Sequence, residues 1–189
     1  MRRTFTSMAL VAALALPAFA DDTRLVKSVN LQDLQTIVTE LGHTITSTGD
    51  DGAVSIRATD TEGTGLIFNL IGSACDLEGY GPGCLGINMQ VRYDADGKET
   101  LERINEANLM WAATSAWYSA GGTDGQTPTV GVTRYVILDS GMTAGNIKDN
   151  LANLLAIAPQ AADYIWQVGK YAEDYVPAEE EEYYDDEEW

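Results

Sequence analysis

Residues 64–93 read TGLIFNLIGSACDLEGYGPGCLGINMQVRY and contain two predicted strands joined by a short loop. Residues 64–71 are almost continuously apolar, as is typical of a strand in the middle of a sheet. Residues 85–93 instead alternate apolar and polar side chains, with Ile87 and Met89 among the apolar ones. Three glycines and a proline lie between the two segments and permit a tight reversal. We therefore predict an antiparallel pair of strands here.

The segments on either side extend this pattern. Residues 44–48 and 53–59 alternate in polarity and end at turn sequences rich in Gly and Asp. With the central pair they make a predicted antiparallel meander of four strands. Residues 129–138 form a further predicted strand, whereas residues 113–119 suit either a helix or a strand entering a hairpin.

Three segments have the apolar spacing of amphipathic helices. Asn30 can cap the first helix, and Gly42 can end it in a left-handed conformation. Residues 101–110 form the second helix, and Thr143 caps the third. Pro159 either breaks or kinks this third helix, because proline has no N–H to donate to the preceding turn. Helices and antiparallel strands together predict an α+β fold, an antiparallel β-sheet with helices packed on it.

The first twenty residues have the layout of a secretory signal peptide. Arg2 and Arg3 are followed by an apolar run at residues 8–16 and an A-x-A cleavage site at residues 18–20. We expect a signal peptide at residues 1–20, a folded domain at 21–176 and a periplasmic or secreted protein. The paired arginines leave both Sec and twin-arginine export open, with Sec the favoured route.

The chain is strongly acidic. Its formal charge is −18, and without Arg2 and Arg3 nine basic residues face 29 acidic ones, a charge of −20. Such a surface repels nucleic acid and anionic membranes, and it favours cationic proteins, cationic peptides or divalent metals. Ten acids lie between Glu173 and Glu188, and we predict that residues 177–189 form an acidic disordered tail.

Cys75 and Cys84 are the only cysteines. In an oxidising compartment an even count favours a disulfide, and the glycine-rich loop can bring the two side chains together. A redox pair or half of a metal site are the rival interpretations. The spacing is not C-x-x-C, and the sequence has one histidine to complete a zinc shell, so the structural bridge is preferred.

No motif in the sequence indicates catalysis or a cofactor. His43 is the single histidine and is expected to be a surface or capping residue. Asp94-x-Asp96-Gly97 resembles the start of a calcium loop, but Asn105 stands where an EF-hand needs glutamate, so a turn is favoured. The sequence also lacks a G-x-S-x-G elbow and a phosphate-binding loop. We therefore expect a non-enzyme without metal or cofactor.

Aromatic residues supply the candidate binding surface. Trp111, Trp117, Tyr118 and Tyr135 all fall in the second half of the domain. They either pack in the core or line a groove for a partner. Aromatics also punctuate the acidic tail, which can dock on a basic, apolar surface or simply keep the chain soluble.

The order of these signals resembles the YbjN-like family of bacterial sensory transduction regulators, from about Leu31 to about Trp166. The resemblance lies in residues 54–58, in the apolar strand leading to a cysteine, in residues 101–108 and in residues 138–147. It implies a fold similar to class I type III secretion chaperones, often paired into dimers, with residues 113–119 as a strand. The family contributes no catalytic residues.

Two functions follow as hypotheses. The first is a non-enzymatic periplasmic binding or chaperone-like module that holds a protein or peptide partner, with a cationic one favoured and a homodimer possible. The second is an envelope stress or divalent-metal-buffering protein acting through the acidic tail.

Overall fold

The structure is a computed structural model that describes residues 22–61, 65–121 and 127–172. The predicted signal peptide at residues 1–20 and the predicted tail at 177–189 lie outside these residues. The strands within the described residues are β1 (Leu25–Val26), β2 (Thr44–Thr48), β3 (Ser55–Thr59), β4 (Ile67–Cys75), β5 (Cys84–Asp94), β6 (Ser115–Ser119), β7 (Thr129–Ile137) and β8 (Met142–Thr143). The helices are α1 (Leu31–Glu40), α2 (Leu101–Met110), α3 (Ala144–Ile165) and a short 3-10 turn η1 (Gly169–Tyr171).

Six strands form the main sheet, in the order β2-β3-β4-β5-β7-β6 with every neighbouring pair antiparallel. The predicted meander, β2 to β5, is confirmed. β4 continues to Cys75 and does not end at Ile71, so the cysteine belongs to the strand and the reversal begins after it. Residues 115–119 form an edge strand, as the family resemblance implied.

The two faces of this sheet differ in chemistry. One set of alternate side chains, including Phe68, Leu70 and Met89, is fully buried in a single core with apolar residues of α1 and α3. Ile104 and Ala107 of α2 pack with Val130 of β7 and Ile165 of α3 in a second cluster. The three α-helices thus cover one face, here called the helix face, and the α+β fold class is confirmed. The opposite face is called the open face.

Side-chain caps explain where the helices begin. The Asn30 side chain accepts a hydrogen bond from the Asp33 N–H at 3.0 Å, and the Asp33 carboxylate accepts one from the Asn30 N–H at 2.9 Å. This reciprocal pair is a capping box. Thr100 and Thr143 cap α2 and α3 with a single bond each, in which the hydroxyl oxygen accepts from the N–H three residues later. No helix within the described ranges has the length and apolar content to cross a membrane.

Helix α3 continues through Pro159 to Ile165, so of the two alternatives a break at the proline is wrong. Proline removes one hydrogen bond, to the carbonyl of Leu155. Ala158 and Ala161, on either side of it, are buried in the core. Apolar burial on this face thus holds the helix together across the missing bond.

A two-stranded sheet of β1 and β8 was not predicted, because two-residue strands are too short to show alternation. It ties the start of the described chain to the start of α3. Lys148 strengthens the junction, since its Nζ lies 2.6 Å from Asp22 Oδ1 and 2.8 Å from Glu40 Oε2. The hydrogen bonds that Lys148 donates to these two carboxylates raise its pKa.

Candidate partner-binding surfaces

The four aromatic residues predicted to line one groove are divided between two faces of the molecule. Trp117 and Tyr135 lie on the open face, while alternation places Tyr118 on the helix side of edge strand β6. Trp111, at the end of α2, packs edge-to-face against Tyr164 at 5.9 Å and Tyr171 at 6.4 Å between ring centroids. A single groove containing all four is therefore not formed. Successive side chains of a β-strand point to opposite faces of the sheet, so in strand β6 Trp117 and Tyr118 must lie on different faces.

The two open-face aromatics lie across glycines. A Cβ atom at Gly131 would overlap the Trp117 indole, and one at Gly86 would overlap the Tyr135 ring. The Tyr135 hydroxyl also forms a hydrogen bond of 2.8 Å with the Ser73 hydroxyl. This bond links β7 to β4 across β5. Both rings therefore lie directly over glycines of neighbouring strands.

A different surface, which sequence reasoning missed, combines acids with aromatic rings at one end of the sheet. It is a cleft of about 430 Å³ at the junction of β5 with the end of α3. We call it the acidic cleft; its lining residues are Tyr93, Asp94, Asp96, Lys98, Ala162, Asp163, Trp166 and Val168.

Trp166 links the two walls of the acidic cleft. Its indole N–H donates to Asp96 Oδ1 at 2.9 Å, and its ring meets Tyr93 edge-to-face at 5.9 Å between centroids. The Tyr93 hydroxyl is buried and has no hydrogen-bond partner among the described residues. Burial raises the pKa of Tyr93, and the nearby charge of Asp163 adds to this effect. The ring is thus neutral, and its orphan hydroxyl is a feature that a ligand group could satisfy.

Asp96 carries a negative charge at neutral pH. Hydrogen bonds from the side chain and the backbone N–H of Lys98, with another from Trp166, lower the pKa of Asp96. Lys98 Nζ lies 3.0 Å from Asp96 Oδ2, and the Lys98 side chain is 74% exposed. The ion pairs found among the described residues include neither Asp94 nor Asp163. Two carboxylates beside two aromatic rings are suited to a lysine or arginine side chain.

The segment from Asp94 to Gly97, which resembled a calcium loop, is a turn leading into α2. The Glu99 carboxylate accepts from the N–H groups of Asp96 and Gly97 at 3.2 and 2.9 Å. Gly97 has φ 85°, a left-handed conformation that favours glycine. Among residues 22–61, 65–121 and 127–172, no group of three or more His, Cys, Asp or Glu side chains could hold a metal ion.

Cys75 and Cys84 form a disulfide between directly paired positions of β4 and β5. Cys84 is fully buried, and its N–H and C=O exchange hydrogen bonds of 2.8 and 3.0 Å with Val29. Asp76 closes the loop by accepting from the Gly83 N–H at 2.9 Å. The bridge therefore fastens the central hairpin at the point where the N-terminal segment joins it.

His43 is not a surface residue, contrary to the sequence-based expectation. Its side chain is 9% exposed, and its ring packs edge-to-face on Phe68 at 5.3 Å between centroids. Its Nδ1 lies 3.3 Å from Asp60 Oδ1. The apolar packing that encloses the ring comes from β4, which is distant in sequence and gave no local signal.

An antiparallel sheet with all of its described α-helices on one face defines an α+β domain. A family model described as "Putative bacterial sensory transduction regulator" matches residues 30–167. The chain belongs to the YbjN family.

The structure is also similar to the crystal structure of YbjN, described as a putative transcription regulator from E. coli. The TM-score is 0.46 and the sequence identity 14%, over 72% of this chain and 96% of that one. No curated protein matches this chain.

Proposed function

We propose that this YbjN-family chain is a non-enzymatic binding module that works outside the cytoplasm and holds a basic segment of a protein or peptide partner in the acidic cleft. The family description, a regulator, supports a role in binding and signalling over catalysis. The observation that carries the proposal is the pairing of Asp94 and Asp163 with the rings of Tyr93 and Trp166 around one cleft.

The chemistry of the cleft supports a cationic occupant. Arginine and lysine gain from carboxylates by charge-assisted hydrogen bonds and from aromatic faces by cation–π attraction. The net charge of −18 adds long-range attraction and raises the rate of encounter with a basic partner. The hydrogen bond from the Trp166 indole to Asp96 fixes the orientation of this ring and keeps the site pre-formed.

The export signal and the cysteine pair support a location outside the cytoplasm. Disulfides persist in oxidising compartments and are rare in the cytosol. Cell fractionation followed by N-terminal sequencing tests this part: we expect a mature chain that begins at Asp21 with no free thiol. Recovery of the intact chain in the cytosol with both thiols free would contradict it.

Site-specific photocrosslinking in the native cell tests partner binding. A photoreactive benzoylphenylalanine replaces Val168, which lines the cleft, or Leu109, which is 83% exposed on α2, as a control. We expect a discrete crosslinked partner from position 168 and none from position 109.

Charge variants then establish that the cleft is responsible. Asp94→Asn with Asp163→Asn should abolish the crosslink from position 168. The matched pair Asp51→Asn with Asp149→Asn, which changes net charge equally at exposed positions outside the cleft, should leave it intact. An equal loss of the crosslink in both pairs of variants would mean that only the overall charge matters, and would contradict the proposal.

A further inference from the structure

Two arginines share a cleft on the open face of the sheet, away from the acidic cleft. The cleft has a volume of about 300 Å³, and Arg57 of β3 and Arg92 of β5 both line it, with Asn69 of β4 between them. By the usual strand spacing the two arginines stand roughly 10 Å apart across β4. We call this surface the arginine cleft.

Neither arginine forms an ion pair with an acidic side chain in the described parts of the chain. Arg92 donates from Nε and Nη2 to Gln90 Oε1 at 3.0 and 2.8 Å, and its guanidinium lies 5.7 Å from the centre of the Trp117 ring. Gln90 and Trp117 thus hold the guanidinium in place while several of its five N–H donors remain available. Both arginine side chains are exposed.

This surface stands apart from the rest of the chain in charge. The sequence has 29 acidic residues against 11 basic ones. By strand alternation, the open-face positions of β3, β4 and β7 include no acid, and neither do those of β5 as far as Arg92. Asp94, at the end of β5, lines the acidic cleft. Two exposed guanidinium groups on such a face are suited to a carboxylate-rich ligand.

We propose that Arg57 and Arg92 form a carboxylate-binding site on the open face, and that the acidic segment at residues 179–188 of the same chain occupies it. This segment carries eight acids around Tyr183 and Tyr184. Its glutamates supply ligands for both guanidinium groups, and its tyrosines supply rings for the apolar side chain of Ile71, which also lines the cleft.

Chain connectivity favours this occupant over a separate molecule. Trp166, near the end of the described chain, contacts Tyr93, which directly follows Arg92 in the sequence. The seven residues from 173 to 179 span up to roughly 25 Å when extended. A tethered segment binds at a millimolar effective concentration, so weak surface ion pairs suffice to hold it.

Photocrosslinking within the purified chain at residues 21–189 tests the proposal. Tyr184 is replaced by benzoylphenylalanine, and the crosslinks are mapped by mass spectrometry. We expect intrachain crosslinks concentrated in β3, β4 and β5 on the open face. Crosslinks confined to other elements, or formed only between two copies of the chain, would overturn the proposal.

Two sets of variants test the charge pairing from both sides. Arg57→Gln with Arg92→Gln should lower the yield of these crosslinks roughly five-fold or more, the scale expected for losing two exposed charge pairs. Lys27→Gln, an exposed residue beside β1, is the control and should leave the yield unchanged. Replacing Glu179, Glu180, Glu181 and Glu182 by glutamine should give the same loss without touching the folded sheet.

An unchanged yield in both the arginine and the glutamate variants would contradict the proposal. The arginine cleft is separate from the acidic cleft, so the two proposals are tested independently. Absence of the tail crosslinks would not affect the proposed function, and absence of binding to a basic peptide would not affect this inference.

Discussion

The side-chain amide of Asn108 on α2 forms two hydrogen bonds with the backbone of Ala116 on edge strand β6. Nδ2 donates to the Ala116 carbonyl at 3.1 Å, and Oδ1 accepts from the Ala116 N–H at 2.6 Å. An exposed strand edge offers unpaired backbone groups to other chains. Asn108 satisfies one such pair from within the molecule and so protects this edge.

Replacing Asn108 by alanine should therefore both destabilise the fold and expose the edge. We expect a loss of about 1–3 kcal/mol in the free energy of unfolding, because a buried donor and acceptor lose their partners. Urea unfolding measures the stability, and light scattering after size exclusion measures self-association, which should increase. Asn105→Ala, an exposed position on the same helix, should show neither effect.

The close approach of Trp117 to Gly131 predicts that Gly131→Ala displaces the indole. The added methyl group overlaps the ring, and overpacking of this kind typically costs about 1–3 kcal/mol. Near-ultraviolet circular dichroism should change along with the unfolding midpoint. In a Trp117→Ala background the same substitution should be close to neutral; an equal cost in both backgrounds would refute the contact as its cause.

Reduction of the Cys75–Cys84 disulfide should lower stability by about 2–3 kcal/mol, the chain-entropy estimate for so short a loop. Thermal unfolding with and without a thiol reductant measures the change. The double variant Cys75→Ala with Cys84→Ala serves as the control, since reductant should not alter its midpoint. An unchanged midpoint in the reduced natural chain would mean that the bridge contributes no stability.

The Tyr164 hydroxyl lies 2.6 Å from Glu106 Oε2 and donates to it, and this bond raises the pKa of Tyr164 from 10.0 to about 12. Tyr164→Phe should lower stability by about 1 kcal/mol at neutral pH. Because the folded pKa is the higher one, the contribution is complete below pH 10 and declines as the pH rises towards 12.

Urea unfolding of the natural chain and the Tyr164→Phe variant from neutral to alkaline pH measures this contribution. Tyr118→Phe is the control, because Tyr118 is 39% exposed on the edge strand, and it should have little effect. A stability difference that stays constant up to pH 12 would contradict the assignment of the bond.

Local signals account for most of the fold. The capping residues Asn30 and Thr143 and the alternation in β5 act within a few residues, so the sequence predicts the helix starts and the meander. The strand order was beyond such reasoning, because the placement of β7 between β5 and β6 depends on contacts between distant segments.

The acidic cleft was missed for the same reason. Asp96 and Trp166, which share a hydrogen bond, are 70 residues apart in the chain. Asp94 and Asp96 did attract notice as a calcium-loop fragment, but nothing in that fragment indicates the aromatic ring that comes from the end of α3. Strand alternation, in contrast, was available from the sequence and would have separated Trp117 from Tyr118.

The most direct test of the account is a nuclear magnetic resonance titration of the chain at residues 21–189 with a short peptide containing two lysines and one arginine. We predict that the Trp166 indole N–H and the backbone amides of Asp94, Asp163 and Val168 shift together and saturate. The Asp94→Asn, Asp163→Asn variant should abolish these shifts. Shifts confined to residues 173–189, or to the open face of the sheet, would show that the acidic cleft does not bind basic segments.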